Sequence, residues 1–183
     1  MFEARRIAVG VTGGIAAYKS ADLVSKLVGS GAEVRVIMTD AATRFVTPLT
    51  FRSLSANPVA LDTFDRSLSD YPHIELARWA EIFVVAPATA NILGKAANGI
   101  ADDCLSTALL SFTGPVLFAP AMNTRMWQHP AVRHNCELLE SRGACFVGPG
   151  QGRLACGESG PGRMSEVTEI LESISGVLGQ AAK

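Results

Sequence analysis

The sequence has no long hydrophobic run and no block of like charge. No apolar stretch approaches the ~18 residues of a membrane-spanning helix, and no signal-peptide apolar region precedes the first strand pattern. The 16 basic and 17 acidic residues leave a formal net charge of −1, which favours neither nucleic acid nor an anionic membrane as a partner. We therefore expect a cytoplasmic protein whose partner is a small molecule or another protein.

Closely spaced cysteine pairs are also absent. Cys104, Cys136, Cys145 and Cys156 form no Cys-x-x-Cys pair, and none has zinc-ligand spacing to a histidine. A reduced protein without a metal is the simplest interpretation. No internal repeat or linker is visible, so we expect a single domain over residues 1–183.

Short apolar runs instead alternate with helix-like stretches. The runs of strand length are 7–11, 34–38, 82–86, 116–119 and 144–147. Helices are expected over 15–30, after Pro48, around 90–111, over 130–142 and from 165 to about 177, with Asp22 and Lys26 paired on the exposed side of the first. This alternation predicts an α/β fold with an open, doubly wound parallel sheet, Rossmann-like or flavodoxin-like.

The segment over residues 148–164 is rich in glycine and contains Cys156. Because glycine loses much conformational freedom on ordering, we expect this segment to be neither helix nor strand but a mobile flap. It follows the last strand, at the sheet edge where open α/β folds bind ligands. The segment alone allows two interpretations, a catalytic lid or a surface loop with an incidental cysteine.

Small and polar residues follow three of the predicted strands. Gly13 and Gly14 follow the first, where backbone N–H groups can approach an anion at a helix N-terminus. Thr39 follows the second strand, and Thr89 and Asn91 follow the third. Each is also an ordinary turn or helix-cap residue, and the glycines match neither Gly-x-Gly-x-x-Gly nor a P-loop. Their repetition at one edge predicts a bound mononucleotide.

Four blocks of the sequence resemble the phosphopantothenoylcysteine decarboxylases, in the flavoprotein family of homo-oligomeric cysteine decarboxylases. The blocks are Gly-Gly-Ile-Ala-Ala-Tyr-Lys at 13–19, Pro-Ala-Thr-Ala-Asn at 87–91, Pro-Ala-Met-Asn-Thr-Arg-Met-Trp at 120–127, and Leu-Ala-Cys-Gly at 154–157 with Gly-Pro-Gly-Arg-Met at 160–164. The third block is highly specific, whereas the glycine pair is weak alone. Members of this family bind FMN between the subunits of a trimer.

This resemblance implies roles for individual residues. The implied FMN contacts are Gly13, Gly14, Ile15, Thr39, Thr89, Ala90, Asn91, Ile92 and Ala121. The implied catalytic residues are His73, Asn123 and Cys156, and the implied substrate contacts are Asn123, Met126, Arg153, Leu154 and Ala155. Thr89 stands where many relatives have serine, and Ile92 where many have threonine.

The implied chemistry suits these residue types. Loss of CO2 from a cysteine carboxylate needs an electron sink, which oxidation of the substrate by FMN to a thioaldehyde would supply. Asn123 can hold a carboxylate without a charge that opposes CO2 loss, and His73 can act as base or orienting group near neutral pH. Cys156 can donate the proton needed when the enethiol is reduced again. A helix-capping role remains the structural alternative for both His73 and Asn123.

The implied function is FMN-dependent decarboxylation of phosphopantothenoylcysteine to phosphopantetheine, in coenzyme A biosynthesis, by a trimer or a dodecamer of four trimers. Three alternatives stay open: oxidative decarboxylation of a peptide's C-terminal cysteine, flavin prenyl transfer, and a non-catalytic flavoprotein subunit. In many bacteria this domain is fused to a CTP-dependent ligase. The sequence does not separate a stand-alone decarboxylase from a fragment of such a fusion.

Overall fold

A computed structural model describes residues 2–65, 71–155 and 157–181. Its elements are, in chain order, β1 Arg6–Val11, α1 Ala17–Gly29, β2 Glu33–Met38, α2 Asp40–Thr43, α3 Pro48–Ser55, β3 Val59–Ala60, α4 Pro72–Trp79, β4 Ile82–Ala88, α5 Ala90–Asn98, α6 Cys104–Ser111, β5 Val116–Pro120, α7 Thr124–Gln128, α8 Pro130–Ser141, β6 Cys145–Phe146, β7 Gly150–Arg153, β8 Ser159–Arg163 and α9 Val167–Ala181. Within these ranges no helix has the length and apolar character to cross a membrane. The cytoplasmic location and the single-domain boundary stay predictions.

A parallel sheet with the strand order β3-β2-β1-β4-β5-β6 forms the centre of the molecule. This arrangement confirms the predicted open α/β sheet, and its order is that of the dinucleotide-binding folds rather than of flavodoxin. The order reverses between β1 and β4, and at such a switch point a crevice opens beyond the carboxyl ends of the strands. The two-residue strand β3 was not predicted, because so short a run carries no periodicity.

Helices cover both faces of the sheet. On β1, Ile7, Val9 and Val11 face a core shared with α1, α3 and α9, whereas Ala8 faces a second core shared with α4, α5, α6 and α8. A strand that is buried on both faces has apolar residues at successive positions, which is why these strands could be recognised in the sequence. Polar groups that bind ligands are therefore confined to the ends of the strands.

Helix α1 is fixed against the strand beyond the switch point by a buried hydrogen bond. The hydroxyl of Ser20, a residue with no exposed surface, donates to the carbonyl oxygen of Ala86 in β4 at 2.6 Å. On the opposite side of the helix, the predicted ion pair between Asp22 and Lys26 is confirmed. The N-terminus of α1 is thereby held beside the carboxyl end of β4.

The helical stretch expected around 90–111 is divided into two helices. Helix α5 ends at Gly99, whose φ of 68° lies in the left-handed region, and Asp103 starts α6 through a reciprocal capping box with Ser106. Lys95 joins the two helices, because its Nζ lies 2.7 Å from an oxygen of Asp103. Local cap chemistry thus overrides the continuous apolar pattern.

The prediction that residues 148–164 contain no strand is wrong, because β7 and β8 pair as an antiparallel hairpin. Glycine permits both the pairing of the two strands and the docking of the hairpin against Met122. Gly162 has a φ of 142°, and a Cβ atom there would overlap the carbonyl oxygen of Met122. The Gly162 carbonyl instead accepts a hydrogen bond from the Met122 N–H at 2.9 Å. Cys156 lies outside the described residues.

Candidate functional site

A cavity of about 650 Å³ opens at the carboxyl edge of the sheet, between the loops after β1, β4 and β5 and the β7–β8 hairpin. Its volume lies in the range of cofactor and small-ligand sites, ~300–1,000 Å³. Eleven predicted contact residues line it, namely Gly13, Gly14, Ile15, Thr89, Ala90, Ala121, Asn123, Met126, Arg153, Leu154 and Ala155. The switch point, the glycine turn and the hairpin therefore meet at one place.

The glycine turn forms one wall of this cavity. A Cβ atom on Gly13 would overlap the side chain of Ala41 after β2, so only glycine lets the turn lie this close. Helix α1 begins just beyond, with neither a side-chain cap nor an acidic residue in its first turn. The N–H groups of Ala17 and Lys19 donate to the backbone carbonyls of Gly14 and Ala16. The helix N-terminus still carries partial positive charge, which suits a phosphate.

Thr12 ties the glycine turn to the loop after β4. The residue is 2% exposed; its Oγ1 donates to the Pro87 carbonyl at 2.6 Å and accepts from the Thr89 N–H at 3.3 Å. Sequence reasoning missed Thr12, although a hydroxyl directly after a strand was the signal used for Thr39 and Thr89. Its role is to set the distance between two walls of the cavity.

Three predicted cofactor contacts do not line the cavity. Thr39 caps α2 by accepting a hydrogen bond from the Ala42 N–H at 3.3 Å. Asn91 is exposed on α5, and Ile92 is 1% exposed within the core. The Ile92 side chain thus packs against apolar neighbours, while its N–H points to the Thr89 hydroxyl at 3.5 Å.

His73 is the second residue of α4 and also does not line the cavity. Because α4 leads back into parallel strand β4, its N-terminus lies at the same carboxyl edge of the sheet. The Nδ1 atom of His73 is buried, and among the described residues it has no hydrogen-bond partner. One chain therefore brings Asn123 to the cavity but keeps His73 away from it.

Asn123 combines a structural and a binding contact. Its Oδ1 accepts from the Arg125 N–H at 2.8 Å and so caps α7, as the structural alternative predicts. Its Nδ2 donates to a carboxylate oxygen of Glu158 at 3.1 Å. The amide thus caps a helix and holds a carboxylate at the cavity rim.

Lys19 is a cavity residue that sequence reasoning missed. Its side chain is 11% exposed, and its Nζ lies 3.0 Å from Glu166 Oε1 and 3.5 Å from the Met164 carbonyl oxygen. The hydrogen bond from Lys19 and its charge, with a smaller contribution from Arg163, hold the pKa of the Glu166 carboxyl below its ordinary value. These contacts fasten the end of the hairpin to α1.

Several large apolar side chains are exposed at this edge. Ile15 and Tyr18 are each 61% exposed beside the cavity. Leu49 at the start of α3, and Phe64 and Tyr71 ahead of α4, are exposed as well. Exposed apolar side chains that line a cavity, as those of Ile15 and Tyr18 do, are typical of a ligand site or an interface rather than of a solvated face.

The model of the Flavoprotein family matches residues 1–179. The coenzyme A biosynthesis bifunctional protein CoaBC of Bacillus subtilis is 52% identical over 173 residues, 94% of this chain and 43% of that relative. The chain thus spans less than half the length of this relative.

Two solved structures resemble the fold over nearly their whole length. A variant PPC decarboxylase complexed with pantothenoylaminoethenethiol has a TM-score of 0.84 and 31% identity, covering 94% of this chain and 97% of that one. The FMN-dependent cysteine decarboxylase SpaF has a TM-score of 0.84 and 33% identity, covering 98% of each chain.

We expect Lys19→Met to raise the pKa of Glu166 towards that of a free glutamate, because the variant removes the strongest of its cationic partners. Since the folded-state pKa is lowered, the pair stabilises the fold above the pKa of an unfolded glutamate. That contribution is lost as the pH falls through the folded-state value. Carboxyl-carbon NMR of Glu166 measures the change, with Lys26→Met on the same helix as control. If the pKa of Glu166 is the same in Lys19→Met as in the parent, Arg163 and not Lys19 lowers it.

Proposed function

The chain belongs to the Flavoprotein family, and from that premise we propose that it is an FMN-dependent decarboxylase that converts phosphopantothenoylcysteine to phosphopantetheine in coenzyme A biosynthesis. The observation that carries the proposal is the Asn123 amide, which holds a carboxylate at the rim of a cavity suited to a phosphate. Similarity to CoaBC and to a PPC decarboxylase supports it.

The residues at the switch point fit FMN. Gly13 lets the turn lie directly against Ala41, and the uncapped N-terminus of α1 suits a phosphate monoester. In the proposed complex, Gly13, Gly14 and Ile15 hold the phosphate, and Thr89, Ala90 and Ala121 line the remainder of the cofactor site. Bound FMN would supply the hydride acceptor and donor that the reaction needs.

Asn123 is proposed to bind the substrate carboxylate. Its neutral amide offers N–H donors without a positive charge that would stabilise the carboxylate against CO2 loss. Met126, Arg153, Leu154 and Ala155 would enclose the rest of the substrate, because all four line the same cavity. The hairpin then serves as the wall that excludes water.

Proton movements are assigned to His73 and Cys156. The Cys156 thiol is proposed to protonate the carbon that has lost CO2, so that the enethiol can return to a saturated thiol. His73 is proposed to act as base or orienting group in the preceding oxidation.

A closed homo-oligomer, a trimer or four trimers, would complete this site. Within one chain His73 stands apart from the cavity, whereas the exposed side chains of Ile15, Tyr18 and Met126 line it. A neighbouring subunit that covers this surface would bury those side chains and bring its own histidine to the site. The CTP-dependent ligase that supplies the substrate is proposed to be fused or separate, as CoaBC is bifunctional.

We expect the purified protein to be yellow and to release FMN on denaturation, identified by mass. Gly13→Ala should lose most of this FMN, because its new Cβ overlaps Ala41 and distorts the phosphate turn. Gly29→Ala, which meets nothing within 4 Å, is the matched control on α1. A parent protein that is colourless and cannot be reconstituted with FMN would contradict the cofactor assignment.

Cys156→Ser should release CO2 from phosphopantothenoylcysteine but stop at the enethiol, since a hydroxyl is a far weaker acid than a thiol, whose ordinary pKa is ~8.5. Asn123→Asp should release almost no CO2, because its charge repels the substrate carboxylate. Anaerobic mixing followed by CO2 measurement and product mass separates the two, with Cys145→Ser on β6 as control. Normal phosphopantetheine formation by Cys156→Ser would remove the thiol from the mechanism. Enethiol release by the parent would favour the oxidative decarboxylation of a C-terminal cysteine.

Oligomers of His73→Asn and of Asn123→Asp should each be inactive, whereas subunits mixed before assembly should regain activity. If each site takes Asn123 from one chain and His73 from its neighbour, random mixing restores about a quarter of the sites. Light scattering reports the oligomer size. Mixed oligomers without activity would place both residues in one chain's site, and an active monomer would contradict a shared one.

A further inference from the structure

The carboxylate of Glu158 is a feature of the cavity rim that the proposed reaction does not use. Its Oε2 accepts the hydrogen bond from Asn123 Nδ2 at 3.1 Å, and its Oε1 lies 3.5 Å from Arg125 Nη2. The Asn123 amide therefore already donates to a carboxylate, one that belongs to the chain itself. This contact marks the place at the rim where a ligand carboxylate would be held.

The backbone of the hairpin positions Glu158 for this contact. The Leu154 N–H donates to the Glu158 carbonyl at 2.8 Å, and the Gly157 N–H donates to the Leu154 carbonyl at 2.9 Å. Gly157 has a φ of 89°, a conformation that favours glycine. These bonds close a tight turn directly after the cavity-lining residues, so Glu158 is held at the rim by the turn.

We infer that Glu158 is a positioning residue that competes with the substrate carboxylate for Asn123 and so sets the preference of the site for substrate over product. The inference rests on the proposed function. Asn123 Nδ2 carries two N–H groups, and one of them donates to Glu158. A substrate carboxylate held by the same amide would lie next to the Glu158 carboxylate, and the two like charges would repel each other. Substrate binding therefore weakens the hydrogen bond between Asn123 and Glu158, and Glu158 can still pair with Arg125.

The competition makes the contact between Glu158 and Asn123 depend on the stage of the reaction. Once CO2 has left, the product has no carboxylate, and Glu158 can return to Asn123. The restored hydrogen bond again joins the hairpin tip to α7, and the product has no carboxylate that could compete for it. Glu158 therefore weakens the binding of substrate while leaving that of product unchanged.

Two unreactive ligands that differ only in the carboxylate test the inference. One is phosphopantothenoylserine, with a hydroxyl in place of the thiol, and the other is its decarboxylated ethanolamine counterpart. Calorimetric titration of the FMN-loaded protein gives the Kd of each. Glu158→Gln should bind the first about fivefold more tightly than the parent does, because a charge-assisted hydrogen bond becomes a neutral one. Its affinity for the second should be unchanged.

Two further variants make the outcome decisive. Glu158→Ala deletes the competing group and should shift the preference at least as far, whereas Glu137→Gln, exposed on α8, should match the parent. An equal change for both ligands, or weaker binding of the serine ligand by Glu158→Gln, would overturn the competition. A parent that binds neither ligand would contradict the proposed substrate, and this inference with it.

Discussion

Thr12 sets the relation between the two strands on which the cavity depends. Its buried hydroxyl bonds to both the Pro87 carbonyl and the Thr89 N–H. Without this hydroxyl the buried Pro87 carbonyl would lose a hydrogen-bond partner, at a cost of about 1–3 kcal/mol. The glycine turn after β1 and the cap of α5 are thereby held at a fixed separation. Every ligand contact proposed on those two loops relies on that separation.

The β7–β8 hairpin adds the third wall, and its contacts are unlike those of the sheet. It docks through a backbone bond between Gly162 and Met122 and through the ion pair of Lys19 with Glu166. Few apolar side chains anchor it, so little buried area resists its opening. A wall attached by a few polar contacts can respond to the charge of a ligand, which a wall packed into the core cannot.

The strands and the glycine turn could be predicted because their signals are local. An apolar run bounded by glycine or threonine needs no knowledge of its neighbours. The hairpin could not be predicted, since the Gly162 carbonyl accepts its hydrogen bond from the Met122 N–H, forty residues away in sequence. Lys19 was missed for the same reason, as its burial depends on Glu166. The position of His73 relative to the cavity likewise depends on the packing of α4 and not on its own neighbours in sequence.

The environments of the cysteines show why thiol chemistry is assigned to the hairpin. Burial raises the pKa of the Cys104 thiol and of the Cys136 thiol to about 11 in each case. Such a thiol is ionised in only about one molecule in 10⁴ at neutral pH, and both side chains pack in the core beneath α6 and α8. Neither can exchange a proton with a ligand in the cavity. Cys156 directly follows the cavity-lining Leu154 and Ala155 in sequence, which is why the proton donor is proposed there.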